Sequence, residues 1–147
     1  MKIDDMDKKI LDELLQNSRL SMSELGRRVN LSSPSVTERV RQMESFGIIK
    51  KYTLEVDYEK IGLPIQCLIE ATIKNGEYQS FKQYIASLSN VEFCYRIAGS
   101  ACFMLKMQFD TLAKAEEFID AVGPYAQTVT HFIFSNVPTN LKFYLNE

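Results

Sequence analysis

The sequence has few residues of the types that build metal sites and disulfide frameworks. It contains one histidine, His131, and three cysteines, Cys67, Cys94 and Cys102, with no CxxC spacing. An odd cysteine count argues against a disulfide framework, and a single histidine excludes a site built on a histidine pair. We therefore expect reduced thiols and no bound metal.

The sequence also lacks long apolar runs and catalytic motifs. No run approaches the roughly 18 apolar residues that span a bilayer, and the first residues, MKIDDMDKK, are too charged for a signal peptide. There is no P-loop or dinucleotide fingerprint, and no serine, cysteine or carboxylate pair stands near a base in a recognisable pattern. These absences predict a cytoplasmic protein without a membrane partner, a cofactor or catalytic residues, and hence not an enzyme.

Charge is distributed unevenly along an otherwise ordinary globular sequence. Of the 147 residues, 46% are hydrophobic and 24% charged, which suits one domain or two small ones. The net charge is −2 overall, but residues 18–51 carry seven basic and three acidic groups, a balance of +4. Positive charge is thus concentrated in one short block of an acidic chain.

The first 60 residues show the pattern of a helix-turn-helix domain. Apolar spacing predicts a helix ending near Asn17, and the Ser21-x-x-Glu24 capping box predicts a second. A third helix begins at Ser32 or Ser33, with a proline in its first turn, and ends at Phe46-Gly47. Residues 48–57 alternate as a strand, so we expect residues 1–60 to form a winged-helix-like unit with a linker strand.

Residues 61–147 have the element order βαββαβ. Strands are predicted at about 65–74, 91–98, 101–109 and 127–135, and helices at about 77–88 and 111–122. Gly99-Ser100 is expected to join the central strands as a tight hairpin. This order predicts a ferredoxin-like sheet with two helices on one face, and therefore an α+β protein. The tail after Phe134 carries no clear structural signal.

The predicted strands carry apolar residues on both faces. The face expected under the helices includes Phe93 and Tyr95, and the opposite face is expected to carry the apolar residues Leu68, Cys94, Cys102, Met104, Phe132 and Phe134. Arg96 and Lys106 are expected to pair with Glu70 on that face, while His131 is expected in a core or interface. An apolar patch of this kind would be covered by a partner, most simply a second copy of the chain.

The third helix is the candidate DNA-reading helix. Its buried stripe is thin, and the 100° step per residue leaves a polar face outward, where short hydroxyls and arginines can reach bases and phosphates. The predicted DNA-binding residues are Ser32, Ser33, Ser35, Thr37, Glu38, Arg39, Arg41 and Gln42, with Arg27 and Arg28 of the preceding helix. Alternatives are a three-helix core with a solvated face, a small-molecule-binding metabolic protein with a helical docking module, and a protein–protein adaptor.

The stretch LSMSELGRRVNLSSPSVTERVRQMESFGIIKKYTLEVD resembles the DNA-binding domain of the Lrp/AsnC (feast/famine) transcription regulators. The shared pattern is Leu25, Leu31-Ser32, Val36, Arg39-Val40, Glu44, Gly47 and Ile49, and the βαββαβ half resembles the regulatory domain of that family. The resemblance extends to about Val137. It implies dimers that assemble into octamers on the nucleoid, wrap or bend double-stranded DNA, and respond to an amino-acid effector.

The effector site implied by the resemblance lies near the loop between the central strands. The matching residues here are Gly99, Ser100, Ala101 and Cys102. Many family members carry an acidic Gly-Asp-x-Asp-like motif in this loop, and this sequence has no carboxylate there to pair with an amino group. Two versions therefore stay open: a regulator with a different effector, or a ligand-independent architectural DNA-binding protein.

Overall fold

The computed structural model describes residues 1–144, which divide into two compact units. The first unit comprises Met1–Glu55 together with the described tail residues 138–144, and the second comprises Val56–Val137. The division falls five residues before the boundary placed at residue 60. The tail belongs with the helical unit, although the sequence assigned it to the second domain.

Three helices build the first unit: α1 (Asp5–Gln16), α2 (Met22–Val29) and α3 (Ser33–Ser45). Their apolar stripes form one core of buried residues, namely Ile10, Leu14, Leu25, Val29, Val36, Val40 and Met43. The N-terminus of α1 carries a reciprocal capping box, in which the side chains of Asp4 and Asp7 each accept the other residue's backbone N–H.

Local signals at the ends of α2 and α3 act as the sequence predicts. Ser21 Oγ accepts the Glu24 N–H at 3.1 Å, and Ser32 caps α3 by accepting the Ser35 N–H at 3.4 Å. Gly47 follows α3 in the left-handed region, with φ of 69°. One half of the predicted capping box differs, since the Glu24 carboxylate bonds Arg27 and Arg28 instead.

The prediction of a strand at residues 48–57 is wrong for the single chain. These residues form no strand, because no strand within residues 1–144 pairs with them to complete a hydrogen-bonded ladder. The apolar side chains from Tyr52 to Val56 are consequently left open to solvent, with Leu54 81% exposed.

The second unit has the predicted ferredoxin-like arrangement. Its elements are a short 3-10 turn (Glu59–Ile61), β1 (Ile65–Ile73), α4 (Tyr78–Ala86), β2 (Val91–Arg96), β3 (Phe103–Phe109), α5 (Leu112–Val122) and β4 (Ala126–Phe132). The antiparallel sheet has the order β2-β3-β1-β4. Residues on the helix-side face of the sheet, including Ile69 and Leu105, pack with Phe81 of α4 and Phe118 of α5 to form the second core.

The predicted faces of β2 are inverted by a β-bulge. The pairing with β3 shifts register between Val91 and Phe93, so Phe93 pairs with Lys106 and Tyr95 with Met104. A shift of one residue turns every later side chain to the other face. Phe93 and Tyr95 therefore lie on the open face of the sheet, opposite the helices, with their ring centres 4.6 Å apart. Cys94 packs against the helix-side core.

Other face assignments also need correction. On β4, Phe132 pairs with Cys67 on the helix side, and His131 lies on the open face, 57% exposed, with its Nε2 3.2 Å from Glu70. Lys106 pairs with Glu92 at 3.0 Å rather than with Glu70. Cys102 packs against the helix-side core and not on the open face.

The C-terminal tail docks on the outer surface of α1. The Asp12 carboxylate accepts two successive backbone N–H groups, from Phe143 at 2.7 Å and from Tyr144 at 3.0 Å. The ammonium of Lys9 stands 4.3 Å over the Tyr144 ring. The tail is thus a structural part of the helical unit. Within residues 1–144, no helix is both long and apolar enough to cross a membrane.

Candidate nucleic-acid interface

The turn between α2 and α3 is held by a close backbone approach that requires glycine. Asn30 ends α2 in the left-handed region with φ of 58°, and Leu31 N–H donates to the Gly26 carbonyl at 2.8 Å. A Cβ on Gly26 would lie 2.6 Å from the Leu31 carbonyl oxygen. Gly26 therefore permits the compact turn that positions α3 against α2. Gly26 is not among the residues predicted for the site, although a glycine inside a short helical pattern indicates a packing or functional role.

The start of α3 presents a group of hydroxyls. Ser32 and Ser35 share a hydrogen bond of 2.8 Å between their Oγ atoms, and Thr37 Oγ1 donates to the Ser33 carbonyl at 2.8 Å. Pro34 and Ser35 are exposed, whereas Ser33 is half-buried. The N-terminal end of the helix thus offers hydroxyls and the positive end of the helix dipole to an anion such as a phosphate.

One turn later, three polar side chains form a connected surface group. Glu38 accepts from Arg41 Nε at 3.0 Å, from Arg41 Nη2 at 2.9 Å and from Gln42 Nε2 at 2.9 Å. The Arg41 guanidinium, and then the Gln42 amide, lower the pKa of the Glu38 carboxyl, so Glu38 is ionised at neutral pH. This group lies on the exposed side of α3, opposite the buried stripe.

The Arg39 side chain bonds the N-terminus of α1 and does not join the polar group on the exposed side of α3. Its Nη1 bonds Asp7 at 2.7 Å and Asp4 at 2.9 Å, and Asp7 is only 1% exposed. Hydrogen bonding to Asp7, and then to Asp4, raises the pKa of Arg39. The side chain expected to contact DNA therefore ties α3 to the N-terminus of α1 and compensates a buried carboxylate.

The arginines of α2 are exposed and belong to an acidic–basic network. Glu24 accepts from Arg27 Nη2 at 2.7 Å and from Arg28 Nε at 3.1 Å, and Arg28 Nη1 reaches Glu13 of α1 at 3.0 Å. Hydrogen bonds from Arg27 and then from Arg28 lower the pKa of Glu24. Arg27 is the more accessible of the two, with its side chain 76% exposed.

Several cations of the basic block have no ion-pair partner within the described chain. They are Arg19, Lys50 and Lys51. The two lysines line a groove of about 620 Å³ whose walls include Leu11, Leu15 and Ile48. Its lining is mostly apolar, so the groove resembles a contact surface more than a small polar binding site.

The candidate effector loop is longer than the predicted tight hairpin. It spans residues 97–102, with Gly99 at φ of 151° and Ile97 N–H donating to the Cys102 carbonyl at 3.0 Å. Ser100 is exposed and Ala101 buried. The described residues include no cluster of three His, Cys, Asp or Glu side chains that could hold a metal ion.

Two side chains that the sequence did not associate with this loop lie against it. Arg96 Nη1 donates to the Cys102 carbonyl at 2.7 Å, and its guanidinium stands 5.0 Å from the centre of the Tyr78 ring. The Tyr78 hydroxyl lies 3.6 Å from Cys102 Sγ. The Ile73 backbone N–H, and then the Tyr78 hydroxyl, lower the pKa of the Cys102 thiol. The charge beside the loop is therefore a cation.

Comparison with known proteins matches both units. The model of the AsnC-type helix-turn-helix domain matches residues 3–44, and that of the Lrp/AsnC ligand binding domain matches residues 66–141. The chain is 62% identical over 139 residues to the HTH-type transcriptional regulator LrpC of Bacillus subtilis (strain 168), covering 95% of this chain and 96% of that one. That relative is a transcriptional regulator and not an enzyme, in agreement with the sequence prediction.

Solved structures agree with the fold. The structure of B. subtilis LrpC superposes with a TM-score of 0.90 at 62% identity, covering 95% of this chain and 99% of that one. A transcriptional regulator of Neisseria meningitidis, solved as an L-Met complex, has a TM-score of 0.86 at 24% identity, with 99% and 97% of the two chains covered. At that identity the second likeness is one of fold alone.

Proposed function

Because this chain belongs to the Lrp/AsnC family of transcriptional regulators, we propose that it binds double-stranded DNA as a homodimer through the exposed face of α3. The observation that carries the proposal is the +4 block, residues 18–51, which includes a well-capped helix whose buried stripe is only Val36, Val40 and Met43. A helix placed in this way after a short turn can enter the major groove.

The proposed contacts have different roles along the two helices. Hydroxyls at the start of α3 bind phosphates or base edges, the polar group one turn later reads bases, and the arginines of α2 contact the phosphate backbone. The proposed residues are Ser32, Ser33, Ser35, Thr37, Glu38, Arg41 and Gln42 of α3, and Arg27 and Arg28 of α2. Arg39 is left out of this set because its guanidinium is bonded to α1.

Mobility shifts at several salt concentrations test DNA binding. Removing one base contact in Arg41→Ala should weaken binding by about tenfold, since a bidentate arginine–guanine pair contributes about that much discrimination. Lys114→Ala is a matched control, because Lys114 forms the same kind of exposed i,i+3 pair, with Glu117, in the other unit. Binding that is insensitive to salt, or equal weakening by both variants, would contradict the proposal.

Two exposed surfaces support dimerisation. The open sheet face carries Phe93, Tyr95 and Val129, of which Tyr95 is 61% exposed. The segment 50–57 has two lysines at one end and Glu55 and Asp57 at the other. Antiparallel pairing of this segment with a second copy would place opposite charges opposite each other and cover its exposed apolar side chains.

The dimer carries two copies of α3, so its half-sites lie about 10 bp apart along the duplex. We propose that dimers associate further into octamers that bend or wrap DNA on the nucleoid. Light scattering during size-exclusion chromatography measures the assembly, and circularly permuted DNA fragments report bending. Leu54→Asp should reduce the assembly size, and a wild-type protein that elutes as a monomer would contradict this part of the proposal.

The effector loop favours an anion rather than an ammonium group. It has no carboxylate, and its neighbouring charge is Arg96. We propose that Gly99–Cys102 and Arg96 bind a small carboxylate, through its carboxyl group. Thermal-shift assays with amino acids and the matching 2-oxo acids test this, with Arg96→Gln as the control that loses the response. If no compound shifts unfolding of the wild type, the architectural, ligand-independent DNA-binding protein is the better description.

A further inference from the structure

The exposed face of α3 contains a carboxylate where a DNA-binding surface would be expected to avoid one. Glu38 is half exposed and ionised, and it lies among the side chains proposed to face the duplex. Negative charge beside phosphates weakens binding to every DNA sequence. A carboxylate in this place is therefore useful only if it improves recognition in some other way.

The hydrogen bonds of Arg41 indicate what Glu38 contributes. An arginine has five N–H donors, and Glu38 engages one on Nε and one on Nη2. The Nη1 donors and the second Nη2 donor remain, so the end of the guanidinium is free while its side is occupied. Two parallel donors at that end match the O6 and N7 acceptors of guanine.

Gln42 is arranged in a similar way. Its amide nitrogen donates one hydrogen to Glu38 Oε1. The second amide hydrogen and the carbonyl oxygen remain, which is the donor–acceptor pair that matches N7 and N6 of adenine. Without the shared carboxylate, both long side chains would sample many rotamers, and ordering them would oppose binding.

Building on the proposed function, we infer that Glu38 is a positioning residue for sequence recognition. It holds Arg41 and Gln42 together so that their remaining donors and acceptor read a guanine and a neighbouring adenine. Glu38 thus lowers affinity for DNA in general and raises discrimination at these two bases.

The test uses the full-length protein and DNA selected by the wild type from a random duplex library. Affinity is then measured for the selected site, for each single-base change in it and for random duplex. The variants are Glu38→Gln, Arg41→Ala and the double variant. Glu44→Gln is the matched control, since Glu44 lies on the same helix and bonds Tyr52 rather than an arginine.

Glu38→Gln should lower discrimination at the guanine and adenine positions by about tenfold, the scale of one bidentate contact. Binding to random duplex should be equal or tighter, and the salt dependence steeper by about one counterion, because Arg41 becomes free to contact phosphate. Glu44→Gln should behave as the wild type. In the Arg41→Ala background, Glu38→Gln should have no further effect at the guanine.

Three results would overturn the inference while leaving DNA binding intact. They are full base discrimination by Glu38→Gln, an equal loss of affinity for selected and random duplex, and an undiminished effect of Glu38→Gln in the Arg41→Ala background. A fourth result, that the wild type selects no preferred bases from the library, would also overturn the inference. If the wild type retains no duplex at all, the proposed function itself fails.

Discussion

Gly26→Ala tests whether the backbone contact at the α2–α3 turn positions α3. A Cβ at this position lies 2.6 Å from the Leu31 carbonyl oxygen, so the turn must move by about 0.8 Å to restore an ordinary contact of 3.4 Å. The oxygen is a backbone atom, and the Leu31 N–H is bonded to the Gly26 carbonyl at 2.8 Å. No flexible side chain can move aside to relieve the contact.

The expected change in the free energy of unfolding combines two opposing effects. Alanine is favoured over glycine inside a helix by about 1 kcal/mol, whereas overpacking costs about 1–3 kcal/mol. With a backbone atom in contact at 2.6 Å, the upper end of that range applies, which leaves a net loss of about 2 kcal/mol. For a unit of this size the midpoint of thermal unfolding should fall by roughly 8 °C or more.

Circular dichroism on heating measures the change, and mobility shifts measure the effect on DNA affinity, which should also fall because α3 is displaced. Ser23→Ala is the matched control, since Ser23 is an exposed residue of the same short helix and the variant should keep its midpoint. If Gly26→Ala unfolds at or above the wild-type temperature, the close approach does not constrain the turn.

Other features of the first unit lead to three further expectations. Arg39→Gln leaves the carboxylate of Asp7 buried without its cation, and should lower the free energy of unfolding by about 2 kcal/mol. This loss is smaller than for a fully buried pair because the Arg39 side chain is one-third exposed. An unchanged denaturant midpoint would contradict this structural role. Asp12→Ala removes the acceptor of both tail N–H groups, so amide hydrogen exchange at residues 143–144 should become fast. Protection equal to that of the wild type would show that the carboxylate does not hold the tail. The pKa values of Asp4 and Glu24 lie below their ordinary 3.8 and 4.5. Their contribution to stability is therefore complete above those values and lost as pH falls through the lower folded pKa values, so thermal midpoints should decline below about pH 4.5.

Local chemistry made much of the candidate site predictable. Ser32 and Gly47 set the ends of α3 through caps that depend only on neighbouring residues, and the outward position of Arg41 follows from helical periodicity. The same reasoning placed Arg39 among the DNA contacts, because periodicity locates a side chain on a helix and does not identify its partner. That partner, Asp7, is 32 residues away in the sequence.

In the sheet, too, the order of elements follows from local signals, whereas the face on which a side chain lies depends on strand pairing. The six elements of the second unit and their order could be predicted, since apolar alternation and turn residues are local signals. The faces of β2 could not, because one bulge between Val91 and Phe93 turns the following side chains over, and pairing with β3 decides where the bulge lies.

The sequence by itself determined the five α-helices, the four strands of the sheet, the caps at Ser21, Ser32 and Gly47, the basic block and the family resemblance, since each is written in consecutive residues. Only the tertiary structure decided that Arg39 stabilises α1, that the Arg96 guanidinium stands over the Tyr78 ring and that the tail docks on Asp12. These depend on contacts between residues far apart in the chain, whose geometry is set when the cores pack.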